Sequence, residues 1–370
     1  MPRIRETGIY QSELQPGAMN GLTDVAGTAV GYFTLIEGDG LWTGNGPFRT
    51  GVTVILPATG NLYANKVPAA VHTINGFGKP VGFEQVRELG TLETPIALTG
   101  TLNVPRVADA LMTLAIEQNR HIGLGFPETG RRGYASVNPV VGETSDGFLS
   151  DIQARPIGLE QVRTAVQNAS SGPVAEGCVG AGTGTSCFGW KGGMGTASRV
   201  LPERSGGFTV GALVQTNYGR PDELVIAGVP VGKHIQPPAH QPRSEDGSIM
   251  IVLATDAPLD GRQLERLCRR AAFGLARTGS TCHGGSGDFV IAFSTAYRIP
   301  GRPGELEWGR PSFHLQPVMS LFSLAVIEAV EEAIYNSLFI AETMVGRDGN
   351  ARHALPVDEV VDLMKKMVVV

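Results

Sequence analysis

Between Gly177 and Val200 the chain reads GCVGAGTGTSCFGWKGGMGTASRV, in which one residue in three is glycine. A residue without Cβ accepts positive φ and lets other backbone come close, but ordering it costs more entropy than ordering any other residue. Such a tract therefore holds its shape only when packed against other main chain. Fifty of the 370 residues are glycine, with no repeat of fixed period. The fold must therefore be a body of short elements, tight turns and close backbone contacts.

Periodicity supplies the elements. GTAVGYFTLI, TGVTVILPA, TPIALTGT, GFTVGALVQTN, SIMIVLATDAP and DFVIAFST are β-branched, apolar runs bounded by turn residues, and read as strands. VPRVADALMTLAIEQN from Val104, GLEQVRTAVQNA from Gly158 and DGRQLERLCRRAAFGLARTG have apolar residues at helical spacing, the last opened by an Asp/Gly cap. The segment Ser320 to Met344 predicts a long helix buried on most sides. KHIQPPAHQPRSEDG, ending at Gly247, has proline, charge and no period, and predicts a long surface loop. Strands and helices in both halves predict a layered α/β or α+β body with helices covering sheets.

Bulk properties exclude several classes. At 42% hydrophobic and 18% charged, the composition is that of a soluble globular protein, and no stretch reaches the roughly 20 apolar residues of a membrane span. Lys and Arg are scattered and the net charge is −5, which argues against a phosphate footprint and nucleic-acid binding. The start MPRIRETGIYQSELQPG lacks the apolar core of a secretory signal, so the expected compartment is the cytoplasm, with the periplasm open had a leader been removed. Cys178, Cys187, Cys268 and Cys282 form no CxxC pair and the histidines no HxH or HExxH, so neither disulfides nor a metal is expected.

The junction Gly247–Ser248 carries chemistry. A hydroxyl residue stands where the polar loop turns into a core strand, preceded by glycine, which accepts strained φ/ψ at low steric cost. That is the arrangement for self-cleavage, in which the hydroxyl attacks the Gly247 carbonyl, an N→O acyl shift gives an ester, and hydrolysis exposes Ser248 as a new terminus. The freed α-amine, with an unperturbed pKa near 8, would then serve as general base for its own hydroxyl. The plain alternative is a serine at a strand start.

Eight blocks weigh against that alternative: NGLTDVAGTAVG, RTGVTVILP, INGFGKPVG, NPVVGETSDG, VGAGTGTSCFGWKGGMGTASR, LVQTNYG, DGSIMIVLATDAPL and GGSGDFVIAFST. In these, and in their order, the chain resembles the DmpA-type aminopeptidases (L-aminopeptidase/D-esterase and β-aminopeptidases). The resemblance implies an α+β, four-layer αββα sandwich like that of ornithine acetyltransferases, similar to Ntn hydrolases with different connectivity. It implies one catalytic domain over 1–370, cut between Gly247 and Ser248 into 1–247 and 248–370, and a homotetramer of processed units. It makes Ser248 the nucleophile, Asn217 an oxyanion donor, Ser286 and Asp288 the pair supporting nucleophile and amine, and Glu143 the partner of the substrate's free amino group. No cofactor is implied. The expected substrates are small peptides, amides or esters of L-α, D-α or β-amino acids.

Singly, Asn217 and Asp288 also read as turn or cap residues. Ser145 departs from the family pattern, since some members carry Tyr or Asn there, and Asp146 reads as a cap of the following turn. His283 and Cys282 read as structural neighbours of Ser286. Two further functions stay open. Ornithine-type acyl transfer is disfavoured because that family uses threonine, and small-ligand or nucleotide binding at the glycine tract is disfavoured because it lacks both a Gly-Lys-Ser/Thr loop and a GxGxxG unit. The tract is instead expected to pack against the catalytic centre, with Phe188 and Trp190 as an apolar wall of the pocket.

Overall fold

The run around Ser248 is apolar at successive positions because both of its faces are covered. In the computed structural model, which describes residues 1–124, 135–238, 246–301 and 316–368 without the side chains at 246 and 368, Asp246–Thr255 is a strand. Ile249, Ile251 and Leu253 point into one apolar cluster, and Met250, Val252 and Ala254 into another. A strand buried on both sides needs a sequence of this kind.

Nine strands of five or more residues are present among the described residues: β1 (Ala29–Glu37), β2 (Phe48–Leu56), β3 (Asn65–Gly76), β4 (Ile96–Gly100), β5 (Val140–Thr144), β6 (Met194–Val200), β7 (Thr209–Asn217), β8 (Asp246–Thr255) and β9 (Gly285–Ser294). They make two sheets. One has the order β1-β2-β4-β5, antiparallel except for the parallel pair β4–β5. The other runs β3-β9-β8-β7-β6, antiparallel except for the parallel pair β8–β9, and two-residue strands at Thr91–Leu92 and Ile299–Pro300 both pair with β3.

Six α-helices accompany them: α1 (Phe83–Leu89), α2 (Val104–Gln118), α3 (Leu159–Gln167), α4 (Gly261–Arg277), α5 (Met319–Phe339) and α6 (Val357–Val368). Val104, Val107 and Leu111 of α2 and Val162 and Ala165 of α3 pack on Val52, Val54 and Val141 of the smaller sheet. Leu264, Leu267 and Ala271 of α4 and Phe322, Val326 and Ala329 of α5 pack on Ile249, Ile251 and Val290 of the larger one. Ile55, Leu98, Leu213, Met250 and Phe289 fill the space between the sheets. The layers are αββα, as expected. Glycine makes the close approach possible: a Cβ at Gly195 on β6 would lie 2.0 Å from the Ala333 carbonyl oxygen of α5.

Helix α4 begins as its sequence predicts, with Gln263 N donating to Asp260 Oδ1 at 2.7 Å and Asp260 N to Gln263 Oε1 at 3.0 Å. Two boundaries differ from expectation. The last long helix ends at Phe339 rather than Met344, where the backbone of Gly177 closes on the Ile340 carbonyl. The strand expected from Ser248 begins at Asp246, because Asp246 and Gly247 already pair with Gly285 and Ser286. Of the loop before it, residues 239–245 lie outside the described residues. All four cysteines are free thiols. Among the described residues no helix is long and apolar enough to cross a membrane.

Candidate active site

Strand register brings Ser248 and Asn217 together. They are direct partners in the antiparallel pair β7–β8, so their side chains leave the sheet on the same face. That face carries Met250 and Leu213, and looks toward the other sheet. Ser248 is buried, and Asn217 is half-buried at the end of its strand. Asn217 Oδ1 accepts from Ser186 N at 3.1 Å and from Ser186 Oγ at 3.3 Å. A backbone N–H can only donate, so this contact settles the amide orientation and turns Nδ2, with its two hydrogens, away from Ser186. Ser186 had no signal in sequence, since nothing local relates it to a strand end 31 positions later.

Gly287 on β9 is the partner of Ser248 on its other side. A Cβ there would meet the Phe77 carbonyl oxygen at 2.7 Å, so the turn after β3 runs across this face and needs glycine beneath it. Gly78 in that turn lies against the Phe289 ring and Glu143 Oε1. Glu143 is buried near the end of β5, and its Oε1 accepts from Lys79 N at 2.9 Å. Glu143 therefore reaches the site across Gly287 and the Phe77–Gly78 segment. A cavity of about 550 Å³ opens beside it, lined by Thr73, Gly78, Phe83, Arg87, Asn138 and Phe289 among others.

Ser286 and Asp288 are placed differently. By alternation they share the face of Val290, which looks toward the helices, opposite to Ser248. Ser286 Oγ donates to Asp288 Oδ1 at 2.6 Å, and both side chains are buried. Burial pushes the Asp288 carboxyl above its ordinary range, against the Ser286 hydroxyl, the Cys282 thiol and the Ile249 N–H, which lower it. Asp288 Oδ2 is buried with no hydrogen-bond partner among the described residues. The Ile249 N–H is one peptide unit beyond the Ser248 nitrogen, so this carboxyl stands close to the Ser248 backbone. Asn75 Nδ2 holds the preceding turn, donating to the carbonyls of His283 at 3.1 Å and Gly284 at 3.2 Å and to that of Ser286.

Two expectations need correction, and two further residues can be placed. Phe188 and Trp190 line no wall of this cavity. They are buried in the core under the helices, Phe188 edge-on to Tyr218 with ring centroids 5.1 Å apart, because the tract folds its aromatic residues inward while its glycines face backbone. Asp146 does not cap its turn with its side chain, since the Leu149 and Ser150 amides donate to its main-chain carbonyl at 3.1 and 3.0 Å. His283 is in contact with Glu223, Nε2 to Oε1 at 2.9 Å, and with Thr281 Oγ1 at 3.2 Å, a structural setting one turn from Ser286. Ser145 is exposed and touches only the next turn, its Oγ 3.4 Å from Gly147 N.

The buried Ser248, the half-buried Asn217 paired with it across β7–β8 and the buried Asp288 on the adjacent strand thus gather polar side chains at one end of the larger sheet. The chain belongs to peptidase family S58, whose sequence profile matches residues 20–352. It is 41% identical over 380 aligned residues to the β-peptidyl aminopeptidase BapA of Sphingosinicella xenopeptidilytica, covering 98% of this chain and 91% of that one. Among solved structures it superposes on a protein of Pyrococcus horikoshii with TM-score 0.91 at 44% identity, covering 99% of both chains. The L-aminopeptidase D-Ala-esterase/amidase of Ochrobactrum anthropi, described as a prototype of the serine aminopeptidases and a variant of the Ntn hydrolase fold, is also similar, with TM-score 0.88, 37% identity and 99% of both chains covered. The chain is thus a peptidase with the DmpA-type, Ntn-like layered fold.

Proposed function

We propose that this is a self-processing serine aminopeptidase in which Ser248 acts twice. In maturation, Ser248 Oγ attacks the Gly247 carbonyl carbon, the Gly247–Ser248 C–N bond breaks, and the hydroxyl proton ends on the departing nitrogen. Water then cleaves the ester, releasing a Gly247 carboxylate and leaving Ser248 with a free hydroxyl and a free α-amine. In turnover that amine accepts the Oγ proton as Oγ attacks the substrate carbonyl, and the proton passes on to the leaving amine. Asn217 Nδ2 donates to the developing oxyanion, and water completes hydrolysis of the acyl-enzyme.

The observation that carries this reading is the unpaired Asp288 Oδ2, buried beside the Ile249 N–H. A buried carboxyl held only by neutral donors, the Ser286 hydroxyl, the Cys282 thiol and the Ile249 N–H, becomes a partner for the α-ammonium once Ser248 is a terminus. Glu143, buried behind Gly78 of the cavity wall, is the group suited to the substrate's ammonium. That the relatives are a β-peptidyl aminopeptidase and an L-aminopeptidase D-Ala-esterase/amidase supports small substrates with a free amino group. The fragments 1–247 and 248–370 would remain one catalytic unit, since β8 and β9 of the second lie between β7 and β3 of the first. Family resemblance also supports a homotetramer, and Ile36, Leu41, Trp42 and Val345 are exposed apolar side chains suited to subunit contact.

Intact mass and amino-terminal sequencing test the proposal. Active protein should yield two chains, one beginning Ser-Ile-Met-Ile, and Ser248→Ala should remain one chain without activity. Full activity in an uncut chain, or cutting of the purified alanine variant, would refute it. A panel of L-α, D-α and β-aminoacyl p-nitroanilides then ranks the substrates.

A further inference from the structure

Asp146 is a charged group that the reaction leaves unused. It is 1% exposed, and neither carboxylate oxygen has a hydrogen-bond partner among the described residues. Its seat is made by two glycines. A Cβ at Gly100 would lie 2.7 Å from Oδ2 and 2.8 Å from Oδ1, and one at Gly184 would lie 2.8 Å from the Asp146 Cβ. Thr144 is the register partner of Gly100 in the pair β4–β5, so its side chain leaves the sheet on the side where the carboxylate sits. The hydroxyls of Thr144 and Thr50 are both buried and lack a well-formed hydrogen bond among the described residues, and the Thr50 hydroxyl and the Asp146 N–H are near enough to the carboxyl to lower its pKa. One residue from Gly100, the Thr99 carbonyl takes Gln215 Nε2 at 3.2 Å, while Gln215 Oε1 is also buried and unpaired.

The local charge does not balance. Burial pushes the Asp146 carboxyl up to about 6, Glu143 adds to the rise and Lys191 opposes it. The cation acting on it, Lys191, is itself buried, and its Nζ is already engaged with the carbonyls of Gly182 at 3.0 Å and Gly192 at 2.6 Å. Hydroxyl groups can donate hydrogen bonds to Asp146, yet they bring no positive charge. A buried carboxylate in this position calls for a cation. The donors around it are all oxygen, with a single anionic group, which suits a hard monovalent ion rather than a transition metal. No group of three His, Cys, Asp or Glu side chains able to hold a metal occurs among the described residues.

We propose that Asp146, Thr50 and Thr144 form a binding site for an alkali cation, Na⁺ or K⁺, between the sheets at the end of β4 and β5. The ion holds the Gly184 turn against β5. The claim stands apart from the catalytic reading, because it concerns the stability of the whole chain whether or not Ser248 reacts.

The test uses full-length protein dialysed into tetramethylammonium chloride at pH 8, then melted in tetramethylammonium, Li⁺, Na⁺ or K⁺ chloride at equal ionic strength. Na⁺ or K⁺ should raise Tm saturably by about 2 °C or more over tetramethylammonium. The rise should vanish in Asp146→Asn, and its half-saturating concentration should increase about tenfold in Thr144→Val. Should Asp146→Asn fail to fold, ²⁰⁵Tl⁺ NMR on the parent protein decides the matter: a bound thallium signal displaced by Na⁺ or K⁺, and weakened in Thr144→Val, supports the site. Identical melting in all four salts, as expected were a proton alone to neutralise Asp146, or the lack of any bound thallium signal, would overturn it.

Discussion

Asn217 and Glu143 make separable demands on the substrate. The first has its oxygen held by the Ser186 amide, so its N–H₂ group is oriented before substrate arrives, and preorganisation of that kind acts on the transition state. Asn217→Ala should lower kcat by about 10²–10³ while thermal melting stays nearly unchanged, and steady-state kinetics with an aminoacyl p-nitroanilide would show it. An unaltered kcat would remove Asn217 from the oxyanion site. In the proposed role Glu143 would meet the ammonium in ground and transition states alike, so Glu143→Gln should raise KM about tenfold or more with self-cleavage intact. Equal turnover of N-acetylated and free-amine substrates by the parent protein would contradict that role. Asn217, Ser248 and Glu143 were legible as candidates because their residue types suit the chemistry and their blocks resemble a known family. Ser186 and Asn75 were not, because each acts only through a fold that brings distant loops to one strand end.

At the scale of elements, the strand β8 shows how alternation assigns roles. Ser248 shares a face with Met250 and Val252 and so meets the space between the sheets, whereas Asp288, one strand away and of opposite parity, approaches the same residue from behind. A single-residue slip between β8 and β9 would exchange those positions. The sheet–helix contact at Gly195 is equally exacting. Gly195→Ala places a methyl 2.0 Å from the Ala333 carbonyl and 2.9 Å from Ser337 Cβ, contacts that only a shift of α5 can relieve. We expect a loss of about 1–3 kcal/mol, read from the midpoint of urea unfolding; an unchanged midpoint would mean that the helix is free to move outward. Helices α2 to α5 and most of their boundaries were readable from apolar spacing, whereas the short α1 and the terminal α6 were not singled out. The end of α5 was not readable, since its sequence stays helix-compatible and a backbone contact with Gly177 stops it.

Across the whole molecule, charge in the core ties the prospective fragments together. Arg199 of β6 is fully buried, with Nε 3.1 Å from Glu328 Oε2 and Nη2 2.6 Å from Glu332 Oε2, and Arg5 near the amino terminus reaches Glu332 at 2.7 Å. Asn20 Nδ2 also donates to Glu332, at 2.6 Å. The arginines lie upstream of the proposed cut and the glutamates downstream. Arg199→Met leaves buried carboxylates short of a partner and should cost about 3–5 kcal/mol in denaturant unfolding. A loss under about 1 kcal/mol would show that Arg5 and Asn20 suffice. What the sequence by itself determined here is local in physical origin: the kinds of element, set by apolar period and glycine, and the candidacy of the Gly247–Ser248 pair, set by residue chemistry. What only the tertiary structure decided is which of those residues meet. Strand register, the burial of Phe188 and Trp190, and the exposed or paired state of each carboxylate follow from contacts between segments far apart in the chain, and the balance among them is not written in any one stretch.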